Sequence, residues 1–133
     1  MDDYFKSRAL EYHNARKPGK TSTLPSKPID TPEQLAMAYT PGVAAPALEI
    51  SEERWKAYRY TNKGNLVAVV SNGSSLLGLG NRGALASKPV MEGKAMLFKT
   101  YADIDAFDIE ISDEIPERVV ATIPALAPTF GGI

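Results

Sequence analysis

"NLVAVVSNG", residues 65–73, runs from an asparagine through five consecutive apolar residues into a serine and an Asn-Gly pair. A strand with one wet face alternates apolar and polar residues. This run does not alternate, so Asn65 to Val70 is predicted to be a strand covered on both faces. Asn72-Gly73 marks a turn, and "SLLGLG", residues 75–80, reads as a second, shorter strand. A strand covered on both faces needs helices around it, and the flanking sequence supplies them.

Upstream, Asp2 to Asn14 reads as a helix with Phe5, Ala9 and Tyr12 on one stripe. Residues 17–29, "KPGKTSTLPSKPI", hold three prolines and a glycine and read as an extended connection. Thr31 opens the next helix, with Pro32 in its first turn and Gln34 placed to close a capping box. Thr40-Pro41-Gly42 should stop or kink that helix, and another helical stretch covers Ala45 to Tyr60. Downstream, Pro89 is predicted to open a helix reaching about Thr100. "DAFDIEI", residues 105–111, follows as a strand, then "EIPERVVATIPAL", residues 114–126, as a helix. "PTFGGI", residues 128–133, begins another strand or a loop. Helices alternating with covered strands predict an α/β domain, a small mixed sheet flanked by helices.

The chain has 133 residues, the size of one domain. Its 15 basic and 16 acidic residues are spread without long runs and leave a net charge of −1. That excludes nucleic acid or an anionic membrane surface as the main partner. No apolar run is long enough to span a membrane, and the polar start "MDDYFKSRAL" is no signal peptide. With no cysteine there is neither a disulfide framework nor a thiolate metal site. Cytoplasmic is the default location. The end at Gly131-Gly132-Ile133, without a polar tail, reads as a piece of something longer.

Lys94 falls in an unusual place. On a helix from Pro89 to Lys99 the apolar positions are Val90, Met91, Ala95, Leu97 and Phe98, and Lys94 stands four residues from Val90 and Phe98. It therefore lies within the apolar stripe. A lysine there either snorkels, packing its stem while the ammonium reaches water, or is partly desolvated and gives up its proton readily enough to act as a base. Gly93 beside it weakens the helix by roughly 1 kcal/mol relative to alanine, which suggests a close approach at that point. Tyr39 poses a similar choice. It shares a helix face with Leu35 and can be core, or its hydroxyl faces the small-residue stretch "TPGVAAP", residues 40–46.

"GLGNRG", residues 78–83, fits the glycine pattern of a dinucleotide-binding βαβ unit, with Asp108 and Glu110 further on. The Asn-Gly turn separates these glycines from the strand before them, and Pro89 falls where the phosphate-binding helix should continue, so that reading is set aside. His13, the sole histidine, lies on the polar side of the first helix without partners for a metal. Asp103, Asp105, Asp108 and Glu110 are explained by alternation along a strand rather than by a cation site.

Together, "LAMAYTPGVAAPALEI", "YRYTNKGNLVAVVSNGSSLLGLGNRG", "KPVMEGKAMLFK" and "PTFGGI" resemble the N-terminal domain of malic enzymes in the shorter bacterial form. The resemblance runs through nearly the whole chain, in order, and takes residues 1–133 as that one domain. It implies oxidative decarboxylation of L-malate to pyruvate and CO2, with NAD or NADP as hydride acceptor and a divalent Mg or Mn ion. It implies that Lys94 is the general base and Tyr39 the general acid. It also places "GLGNRG" in the family's first domain, apart from the cofactor fingerprint of the domain that follows.

The larger malic enzymes carry a substrate-binding arginine where this chain has Ser75. The residues that clamp the malate carboxylates are therefore not identified by the resemblance, and Arg82 is a candidate from its position alone. By the same resemblance the acidic metal ligands come just after Gly131-Gly132-Ile133 and the cofactor domain after them. No cofactor or metal site is therefore expected in this chain, and the isolated domain is expected to be inactive. A homodimer is expected, the N-terminal helix extending to the partner. The alternative is a non-catalytic dimerisation or regulatory module that keeps the same fold.

Overall fold

The computed structural model describes all of residues 1–133, in two compact units: Met1–Thr21 with Leu66–Ile133, and Ser22–Asn65. Helix α1 is Asp3–Asn14, and Asp2 caps it by accepting from the Phe5 amide at 2.7 Å. None of its residues is buried.

In the second unit, α2 spans Pro32–Ala38. The expected capping box is formed in both directions: Thr31 Oγ1 accepts from the Gln34 amide, and Gln34 Oε1 accepts from the Thr31 amide. Thr40-Pro41-Gly42 does end this helix, at Ala38. The stretch predicted as Ala45 to Tyr60 is broken. Helix α3 covers Ala44–Glu52, Glu53 is extended, Arg54–Lys56 forms a 3-10 turn, and α4 covers Ala57–Tyr60. Lys56 holds the break, its ammonium 2.6 Å from Glu49 and 2.8 Å from Glu53. The hydrogen bond it donates to Glu49, then that to Glu53, raises the Lys56 pKa, so this lysine stays charged.

In the first unit, strand β1 is Leu66–Ser71, helix α5 is Ala84–Ala102, strand β2 is Asp105–Glu110 and helix α6 is Pro116–Leu126. The strands pair in parallel, Leu66 opposite Asp105 and Ser71 opposite Glu110. At the other edge of β1, Gly132 forms a parallel bridge with Val67, so the "PTFGGI" segment does turn into strand pairing. The Gly131 amide donates to Leu66 O at 2.9 Å, and the Ala68 amide donates to Gly132 O at 3.0 Å. This is the expected α/β class, a small sheet flanked by helices, but its pairings are all parallel where a mixed sheet was expected.

Side chains on a strand alternate between faces. Leu66, Ala68 and Val70 meet Phe130, Leu126 and Ile109 in the main apolar cluster, and the Phe107 and Phe130 rings stand edge to face at 6.3 Å. On the opposite face α5 lies mainly against β2 and buries Ser87, Met91 and Ala95, spaced by four. No helix is long and apolar enough to cross a membrane.

Two predicted boundaries are corrected. "SLLGLG" is not a strand: Leu77, Gly78 and Gly80 have φ of 46°, 77° and 74°, which no extended strand accommodates. The segment is a tight turn that hooks Leu76 into the core, only 5% exposed. Helix α5 does not start at Pro89 but at Ala84, with Pro89 inside it. The proline forgoes one backbone bond, and the packing of Ser87, Met91 and Ala95 offsets that loss. One of the two reasons for setting aside a dinucleotide-binding unit thus fails, because the helix does run on through Pro89. The other holds: the glycines belong to a loop of residues 72–83 and do not directly follow the strand.

Candidate active site

Tyr39 closes α2. Its amide donates to Leu35 O at 3.0 Å, and its carbonyl accepts from the Val43 amide at 2.7 Å. The chain then folds back so tightly that a Cβ on Gly42 would stand 2.6 Å from Met37 Cα and 2.7 Å from Ala36 O. Glycine is required there by contact. The result is a tyrosine at a helix end, 70% exposed, with Leu35 beside it 52% exposed. In this chain Tyr39 is therefore not a core residue.

Arg82 lies in the loop between β1 and α5, in the other unit. Its amide donates to Gly73 O at 3.1 Å, and Asn81 Oδ1 accepts from the Gly83 amide at 3.0 Å. Gly83, φ +80°, leads into α5 without a side-chain cap. Arg82 is exposed in this loop, and α5 begins just after it with no side chain capping its first turn; a guanidinium and free helix-start amides each suit an anion. Ser75, in the same loop, is exposed.

Lys94 sits on α5 but not on its buried stripe. The stripe is Ser87, Met91 and Ala95, and Lys94 is exposed. The expectation of a lysine packed within an apolar face is corrected in that respect. The face that surrounds it is apolar but uncovered: Leu97 is 48% exposed, Phe98 38% and Tyr101 83%, with Val90 half-buried. Gly93 is explained differently from the expected close approach. The nearest atom to a Cβ there would be Lys20 Cε at 3.7 Å, an ordinary contact. Along α5, Lys94 lies about 15 Å from the helix start, so Arg82 and Lys94 are not in direct contact.

Between α5 and β2 runs a polar network that sequence reading missed. Asp108 and Glu110, two apart on β2, point to the α5 side, and Lys88 reaches both: it bonds Asp108 Oδ2 and lies 3.6 Å from Glu110. The expected alternation along the strand puts Asp108 and Glu110 on one face, and that face is covered. Asp103 and Asp105 pair with Lys99, at 2.6 and 3.0 Å, while Asp108 and Glu110 are covered. Only the i, i+2 spacing of Asp108 and Glu110 hinted at a shared face.

The Lys88 pKa is raised, chiefly by its hydrogen bond to Asp108. Burial pushes the Asp108 carboxyl up, but hydrogen bonds from Lys88 and from its own backbone bring the balance below the ordinary aspartate value. Burial, then the neighbouring Asp108, raises Glu110, whose Oε1 is buried without a hydrogen-bond partner. Glu92 extends the network, 3.9 Å from Lys88 and accepting from the Lys20 amide at 3.2 Å. Lys20 Nζ in turn meets His13 Nε2 at 2.8 Å, while His13 Nδ1 lies 2.8 Å from Ala9 O. A carbonyl can only accept, so Nδ1 carries the proton and Nε2 accepts from Lys20. Both ring nitrogens are engaged. No group of three or more histidine, aspartate or glutamate side chains is arranged to hold a metal ion.

Residues 18–122 match the family described as malic enzyme, N-terminal domain. The NADP-dependent malic enzyme of Escherichia coli K12 is 57% identical over 133 residues, covering 100% of this chain and 18% of that protein. The NAD-dependent malic enzyme of Rhizobium meliloti is 56% identical over 126 residues, 95% of this chain and 16% of that protein. The crystal structure of malic enzyme from Pyrococcus horikoshii superposes with a TM-score of 0.93 at 51% identity, over 97% of this chain and 30% of that one. The chain thus spans less than a third of each of these relatives.

Proposed function

The chain belongs to the malic enzyme family, as its N-terminal domain, and on that premise we propose that it supplies the proton-handling residues for oxidative decarboxylation of L-malate to pyruvate and CO2. Lys94 takes the proton of the C2 hydroxyl as the C2 hydride departs. Tyr39 delivers a proton to C3 of the enolpyruvate left after CO2 leaves. Arg82, backed by the uncapped start of α5, holds a malate carboxylate. NAD or NADP, when bound, supplies the hydride acceptor. The resemblance also implies Mg or Mn, but the donors in this chain do not fit a divalent ion. Its two covered carboxylates, Asp108 and Glu110, are engaged by Lys88.

The observation that carries this reading is the setting of Lys94, a lone cation among Val90, Leu97, Phe98 and Tyr101 on an uncovered flank. Lys94 itself is exposed on that flank. A body that covers those apolar neighbours strips its hydration and favours the neutral amine that a base requires. The isolated domain is accordingly proposed to be inactive.

We further propose that the domain forms a homodimer through α1. Tyr4, Phe5, Leu10 and Tyr12 are 72%, 62%, 65% and 64% exposed on that one helix. Light scattering that finds only monomer at tens of micromolar, roughly where a standard-sized interface holds, would count against it.

In the complete enzyme carrying this domain, Lys94→Ala should abolish malate-dependent hydride transfer. Tyr39→Phe should slow exchange of pyruvate methyl protons with solvent by about a hundredfold or more, because that exchange needs enolisation without hydride transfer. Exchange at the parental rate in Tyr39→Phe removes Tyr39 as the acid. A non-catalytic dimerisation or regulatory module would share the α1 surface yet tolerate Lys94→Ala, so the same measurement separates the two readings.

A further inference from the structure

We propose that Lys88 is a positioning residue for the chemistry at Lys94, setting the rotation of α5 through its ion pairs with Asp108 and Glu110; this rests on reading Lys94 as the base. The buried face of α5 carries little that could fix its rotation. Ser87 and Ala95 are small and Met91 is flexible, a surface on which a helix can roll with modest loss of contact. The Ser87 hydroxyl donates to Ala84 O at 2.7 Å, within its own helix, and gives no tie to the sheet.

Directional ties between α5 and β2 come from two lysines. Lys99 reaches Asp105 at 3.0 Å, but both side chains are about half exposed, and such pairs constrain little. Lys88 differs. Lys88 is itself 44% exposed, but its partners Asp108 and Glu110 are only 9% and 14% exposed, so these pairs are screened less than a surface pair. Glu92, on the next turn, adds a second anchor through the Lys20 amide at 3.2 Å.

Lys94 follows Lys88 by six residues, about 9 Å along the axis and about 120° round it. A side-chain tip lies about 5–6 Å from the axis, so a ~10° roll of α5 moves it by about 1 Å. A misplacement of that size at a reacting group can cost about a hundredfold in rate.

The test uses the complete enzyme carrying this domain. Lys88→Met should lower kcat by about 10- to 100-fold with the malate KM nearly unchanged, and Lys88→Arg should restore most of the loss. Where Lys88→Met fails to fold, Lys88→Met combined with Asp108→Leu and Glu110→Gln decides. It leaves no unpaired aspartate under α5, should regain the parental unfolding temperature, and should keep the low kcat. Either variant folded with parental kcat overturns the proposal, and so does a kcat loss that Lys88→Arg shares in full. If Lys94→Ala itself retains turnover, the reading of Lys94 as base fails. If Lys94→Ala is inactive while the Lys88 variants turn over normally, only the positioning role fails.

Discussion

Gly73 and Gly83, near the two ends of the loop between β1 and α5, pack backbone against backbone. A Cβ on Gly73 would stand 2.0 Å from Gly83 O and 2.9 Å from the Ala84 nitrogen. Gly73 also has φ +71°, where any side chain is strained. Gly73→Ala must therefore push the start of α5 away from β1 and disturb the loop that carries Arg82. The variant should lose about 3 kcal/mol or more of stability, measured by urea denaturation. A loss below about 0.5 kcal/mol, the range of an ordinary surface change, would show that the two backbones are not in contact.

Gly93→Ala should act in the opposite direction. The added methyl meets only the end of the Lys20 stem, at 3.7 Å, and Gly93 sits in the interior of α5. Removing a helical glycine then stabilises the isolated domain by about 0.5–1 kcal/mol. Thermal unfolding of the 133-residue chain checks this. A lower unfolding temperature would mean that the contact is tighter than 3.7 Å.

The pH dependence of stability should carry the mark of Glu110. Its pKa is raised in the folded protein, first by burial and then by Asp108. The folded state is therefore penalised when Glu110 is ionised, and the penalty fades as pH falls through the raised pKa toward the ordinary glutamate value of 4.5. Glu110→Gln removes the charge and leaves Lys88 paired with Asp108. It should be more stable than the parent by about 1 kcal/mol at neutral pH, the low end of the cost of an unpartnered buried group. The two proteins should converge near the ordinary glutamate pKa. Urea titrations across that range decide, and a variant less stable than the parent at neutral pH contradicts the assignment.

Local chemistry made much of this domain legible in its sequence. Thr31 and Gln34 form their capping box because both partners lie within one helical turn. The run Leu66–Ser71 becomes a covered strand because five apolar residues in a row have no wet face to offer. Pro116 opens α6 where its missing amide hydrogen costs nothing. The motifs around Tyr39, Lys94 and the glycine loop were likewise sufficient to place the chain in its family.

What only the tertiary structure decided depends on pairs far apart in the chain. Lys88 finds Asp108 twenty residues on, and the Lys20 amide meets Glu92 across a separation of 72. Neither partner is chosen by helical or strand periodicity. The start of α5 at Ala84 was hidden because proline propensity spoke for Pro89, while packing against β2 outweighed it. The exposure of Lys94 was hidden for a related reason. A helical stripe shows which residues share a side, but a few tens of degrees of roll decide which of them the sheet covers. On α5 the sheet covers Met91 and Ala95 and leaves the lysine out.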